Sequence, residues 1–113
     1  MEDSLTVKDI FAMRREGRVE EAYEAIRRRY AVHHGHYTTL CMFWCAADMM
    51  MLRLDAVNGS DEASCAALHE AEKIGAALER LYPSLRDDDG GMRRKLDSLH
   101  AVASACRARA FGR

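Results

Sequence analysis

A chain of 113 residues and 12.8 kDa is long enough for one compact domain and too short for two ordinary ones. Hydrophobic residues make up 49% and charged residues 31%, which excludes wholesale disorder, and a single proline weighs against a turn-rich β-sandwich. The formal net charge of −1 gives no global pull toward nucleic acid or an anionic membrane.

The opening residues Met1-Glu2-Asp3-Ser4 lack a basic stretch followed by an apolar core, so no secretory signal is expected. A first helix is predicted from Val7 to Glu16. Thr6 is its N-cap, Asp9 completes a capping box, and Gly17 is its stop. Val7, Ile10 and Phe11 form its apolar stripe. A second helix is predicted from Val19 to Val32, with Val19, Ala22, Tyr23, Ile26 and Tyr30 at helical spacing. Glu20, Glu21 and Glu24 crowd its start and Arg27, Arg28 and Arg29 its end, which complements the helix dipole.

His33-His34-Gly35-His36 reads as a short loop. A third helix is predicted from Tyr37 to Val57, and its middle, Leu40 to Leu52, is apolar on nearly every face. A helix apolar all round must be packed on several sides, at the domain centre or in a subunit interface. The most apolar run, Leu40 to Leu54, falls short of the roughly 20 apolar residues a membrane span needs and contains Asp48 and Arg53. Ser60 is expected to cap a fourth helix that ends near Tyr82 before Pro83 and buries Ala67, Ala71, Ile74, Leu78 and Leu81. Pro83 to Gly91 reads as a loop. A fifth helix is predicted from Met92 to Ala110, with Met92, Leu96, Leu99, Ala103 and Cys106 on one stripe, followed by a short tail. No segment alternates as a strand would.

The total charge hides a polarity. Residues 60–91 hold three basic and eight acidic groups, and residues 92–113 hold six basic and one acidic group. Either these blocks are antiparallel neighbours with complementary charge, or the fifth helix presents Arg93, Arg94, Lys95, Arg107 and Arg109 to an acidic partner.

Five helices on short loops invite a search for helix-hairpin repeats. The stretch Glu16-Gly17-Arg18-Val19-Glu20-Glu21-Ala22-Tyr23-Glu24-Ala25-Ile26 resembles the middle of a tetratricopeptide repeat, with Gly17 as the turn residue, Ala22 as the packing alanine and Ile26 as the next large apolar position. Ala71 and Pro83 stand at the spacing of that repeat's alanine and closing proline, whereas His34 replaces the proline of the first unit and Gly75 a large apolar residue of the second. The resemblance implies an all-α domain spanning residues 1–113: about five helices in antiparallel hairpins, a fragment of a right-handed superhelix closed by the last helix. It also implies that the first helices of the hairpins line a binding face.

Several groups are candidates for chemistry. His33, His34 and His36 precede Cys41 and Cys45, a nitrogen and sulfur set that zinc favours, but at a spacing of no standard structural site. With no CxxC pair, Cys41, Cys45, Cys65 and Cys106 read as small buried thiols in a reducing cytoplasm, and neither metal nor cofactor is expected. Asp48 lies in an apolar helix and must find a partner or take up a proton; Arg14, Arg18 and Arg53 are the available cations. Met42, Met49, Met50 and Met51 fill a core or an adaptable groove. Asp87-Asp88-Asp89-Gly90-Gly91 lacks the ligand alternation of a calcium loop and reads as a cap for the fifth helix.

These features lead to the expectation of a non-enzymatic interaction module for a protein or peptide partner, or for a second copy. Arg14, Trp44, Asp48 and Met51 would form its surface, with Arg93 and Arg94 as a separate basic patch. The alternative is a nucleic-acid accessory protein that uses the fifth helix with Arg27 to Arg29, although aromatic residues are not interleaved with these cations.

Overall fold

The computed structural model describes residues 5–112. The opening residues 1–4, read above for a secretory signal, and Arg113 of the tail lie outside that range. Five α-helices follow one another: α1 (Val7–Arg15), α2 (Val19–Tyr30), α3 (His36–Asp55), α4 (Glu62–Leu81) and α5 (Gly91–Phe111), with a single 3-10 turn at Tyr82–Ser84. There is no strand among the described residues, and the class is all-α.

The helix ends follow local chemistry. The Thr6 hydroxyl accepts from the Asp9 amide at 3.1 Å, and the Thr6 amide donates to the Asp9 carboxylate at 3.0 Å, the reciprocal capping box. Gly17 takes φ of +81°, which lets the Arg18 amide turn back to the Met13 carbonyl at 3.0 Å. The cap of α4 is Asp61, not Ser60. The Asp61 carboxylate accepts from the Ser64 amide at 3.1 Å, and the Ser64 hydroxyl ties back to Asn58, which fixes the start one residue later. Asp87 caps α5 by accepting from the Met92 and Arg93 amides at 3.0 and 2.9 Å. The second helix stops at Tyr30 rather than Val32, the third begins at His36, and the fifth takes in Phe111.

Helix α3 touches each of the other four helices. Its central position follows from its composition, because few of its faces are fit for water. On one side Cys41 and Cys45 pack with Ile10 and Met13 of α1 and with Ala22, Ala25 and Ile26 of α2. On the other, Phe43, Met50 and Leu54 pack with Leu68, Ala71 and Leu78 of α4 and with Leu96 and Leu99 of α5. In α4 the buried stripe is turned slightly from expectation: Leu68 is buried, while Ala67 and Leu81 are only partly so.

Contact registers give the helix directions. Glu72 meets Arg107 and Glu79 meets His100, so α4 and α5 are antiparallel. Val7 and Phe11 near the start of α1 lie beside Tyr37 at the start of α3, and Arg14 at the end of α1 meets Asp48, while Cys106 and Arg109 of α5 reach the carbonyls of Leu54 and Val57 at the end of α3. Helices α1, α3 and α5 therefore run the same way. Gly75 lets α4 approach this layer: a Cβ there would lie 2.9 Å from Met50 Cε and 3.3 Å from His100 Cε1.

Candidate functional site

Trp44, Asp48 and Met51 fall on successive turns of α3, on the side where α1 crosses it. Arg14, in the last turn of α1, donates from Nε to Asp48 Oδ2 at 2.5 Å and from Nη2 to Asp48 Oδ1 at 3.2 Å. Its guanidinium also lies over the Trp44 ring, 5.3 Å from the ring centroid. The planar fork suits a carboxylate and an aromatic face at once, which an ammonium would not. Phe43 meets Trp44 edge to face at 5.2 Å, which ties the site to the larger core. Of the three cations available to Asp48, Arg14 is its partner, while Arg18 pairs with Glu16 and Glu21, and Arg53 with Glu20.

Beside this pair lies a cleft of about 480 Å³ lined by Arg14, Val19, Asp48, Met51, Leu52, Asp55 and Lys95. Asp48, Met51, Leu52 and Asp55 share one helical face of α3, and Lys95 arrives from α5. Leu52 is 38% exposed, a large apolar side chain at the opening. Asp55 and Lys95 have no ion-pair partner among the described residues, and Arg14 keeps Nη1 unbonded. The cleft can therefore offer an apolar contact, a donor and two rim charges of opposite sign. Leu52 and Asp55 were not expected, and Lys95 was expected only as one of the α5 cations facing an acidic partner, not in this cleft. The first two were readable in sequence as positions i+4 and i+7 from Asp48; Lys95 depends on how α5 packs.

Arg93 and Arg94 do not line this cleft. Arg93 pairs with Glu79 at 2.6 Å and Asp97 at 2.8 Å and lies over the Tyr82 ring at 4.9 Å. Arg94 donates to the Asp89 carbonyl at 3.0 Å. Arg107 makes a two-point contact with Glu72 at 2.8 and 2.9 Å. The acidic and basic blocks are thus antiparallel neighbours that complement each other. The hydrogen bonds from Arg93 and Arg107 hold the Glu79 and Glu72 carboxyls below their ordinary range.

All four cysteines are free thiols. Cys41 and Cys45 are fully enclosed, with their sulfurs 3.9 Å apart. Their mutual hydrogen bond and their burial push the Cys45 thiol above its ordinary range, while the same hydrogen bond draws Cys41 below it. His34 packs edge-on against Tyr30 at 4.4 Å, and His36 against Tyr37 at 5.2 Å. Among the described residues no group of three or more His, Cys, Asp or Glu side chains is placed to hold a metal ion. Nor is any helix there long and apolar enough to cross a membrane.

Comparison with known proteins gives no family: no protein-family model matches the chain, and no curated protein or solved structure matches it.

Proposed function

We propose that this chain is a non-enzymatic interaction module of the tetratricopeptide-like class, which binds a peptide or a partner protein along the face shared by α1, α3 and α5. The observation that carries the reading is the Arg14–Asp48 pair, stacked on Trp44, at the edge of a cleft that holds Met51, the exposed Leu52 and the unpaired Asp55 and Lys95. A held guanidinium beside adaptable apolar side chains and a polar rim is the anatomy of a contact centre. Nothing in the cleft pairs a nucleophile with a base. The engagement of Arg93 and Arg107 by Glu79 and Glu72 favours a protein partner over the nucleic-acid alternative, because those cations already have carboxylates. The expected location, from free cysteines without disulfide spacing, is the cytoplasm.

The test uses two immobilised forms of the protein, wild type and Met51→Arg, each shown to be folded by circular dichroism, with quantitative recovery from the source cells. The reading predicts one protein retained by wild type and depleted on the variant, or, for a second copy as partner, a dimeric mass in solution that the variant loses. Equal recovery on both forms, together with a monomeric mass, would overturn it.

A further inference from the structure

A second cleft, of about 550 Å³, shares no lining residue with the Arg14–Asp48 groove, although α1, α2 and α3 contribute to both. Val7 and Phe11 of α1 and Tyr37 of α3 form its apolar walls, and Lys8, Arg15 and Arg29 supply its charge. Lys8, Phe11 and Arg15 stand at i, i+3 and i+7 along one face of α1, so the cations bracket the ring. Tyr37 is 70% exposed, a ring without enough neighbours to cover it.

Among the described residues, the charge in this cleft is all of one sign. No carboxylate lines it, and none of its three cations has an ion-pair partner among the described residues. Asp9, next to Lys8 in sequence, is committed to the Thr6 capping box. Arg29 gives Nη1 to the Leu5 carbonyl at 3.1 Å, while its Nε is enclosed and has no acceptor among the described residues. A buried donor without an acceptor is uncommon in folded proteins and marks a place where a partner is missing. Arg14, Arg53, Arg93 and Arg107 have carboxylates, whereas Arg80, Arg94, Lys95 and Arg109 have none among the described residues; what sets this cleft apart is that three such cations line it together.

We propose that this cleft binds a small amphipathic anion: a carboxylate received by Lys8, Arg15 and Arg29, on an apolar body laid against Val7, Phe11 and Tyr37. A simple inorganic anion would leave the apolar walls wet, and a neutral apolar ligand would leave the three cations unanswered. The volume lies within the range of small-molecule sites, about 300–1,000 Å³. The body can be an acyl chain or an aromatic ring, since both present the same chemistry to Phe11 and Tyr37.

The experiment is titration of the whole protein, by calorimetry and by amide chemical shifts, with octanoate and with 3-phenylpropanoate. Acetate, octylammonium and vesicles of anionic phospholipid serve as comparisons. At least one of the two amphipathic carboxylates should bind about tenfold or more tightly than acetate or octylammonium, as one charge-assisted contact implies, with shifts in the first turns of α1 and α3. Lys8→Gln and Tyr37→Ser change exposed side chains, so both variants should stay folded and weaken binding by about tenfold or more. Arg29→Met removes the enclosed Nε and should weaken binding by a similar factor, whereas Ala66→Ser on the exposed side of α4 should leave binding unchanged. Equal affinity for octylammonium, binding indifferent to both Lys8→Gln and Tyr37→Ser, or retention on vesicles with no binding of the free carboxylates would each overturn the proposal.

Discussion

Replacing Asp48 by alanine removes both acceptors of Arg14 and leaves a guanidinium against Trp44 with 29% side-chain exposure. Asp48 itself is 20% exposed, so the pair sits between two regimes. A fully exposed pair contributes at most about 1 kcal/mol, whereas removal of one partner from a fully buried pair costs about 3–5 kcal/mol. Two-point geometry and partial burial place the coupling near 2 kcal/mol, with each single alanine variant losing about 2–3 kcal/mol. The assay is a double-mutant cycle of Arg14→Ala and Asp48→Ala in urea, followed by helical circular dichroism and by the fluorescence of Trp44, the one tryptophan of the chain. The apolar pair Arg14→Met with Asp48→Leu should fall within about 1 kcal/mol of wild type, because neither partner is then left unpaired. A coupling below about 0.5 kcal/mol would refute the reasoning and reduce the contact to an ordinary surface ion pair.

Gly75→Leu should lower stability by about 2 kcal/mol or more, read as a fall in Tm of about 8 °C or more, because the side chain must displace Met50 and His100. Gly75→Ala should stay within about 1 kcal/mol of wild type, since the helix gains propensity while the flexible end of Met50 shifts. Asp61→Ala should cost about 1 kcal/mol and Ser60→Ala close to nothing, measured by urea unfolding, because only Asp61 accepts from the Ser64 amide. The folded pKa values of Glu72 and Glu79 lie below the unfolded value of 4.5, so their contribution is fully present above that pH and is lost as pH falls through the folded values. The urea midpoint should therefore drop below pH 4.5, less steeply in Glu79→Gln; a midpoint flat down to pH 3 would contradict this.

What the sequence made legible were features decided within one or two turns. The capping box of Thr6 and Asp9, the stop at Gly17 and the buried stripe of α5 are local, and they stand where periodicity places them. Asp48 was also legible, since a carboxylate in an apolar run needs a cation and few were in reach; the structure selects Arg14. Features set by tertiary register were not. Ser60 and Asp61 are equally good caps by type, and the contact of Ser64 with Asn58 decides between them. Gly75 looked like a departure from a repeat, and its reason lies in Met50 and His100, which only packing brings near. The charge blocks hinted that α4 and α5 would pair, but the matches Glu72–Arg107 and Glu79–Arg93 depend on the antiparallel register. Lys95 joined the groove and the three unpaired cations gathered near Tyr37 for the same reason.

The central claim is that the face of Arg14, Asp48, Met51 and Leu52 meets a partner. The most direct measurement is photocrosslinking in the source cells, with a benzophenone amino acid at position 52 in the cleft and, for comparison, at position 66 on the exposed side of α4. The account predicts one discrete heavier product from position 52, absent from position 66 and abolished by Met51→Arg. No product at position 52, or the same product from both positions, would contradict it.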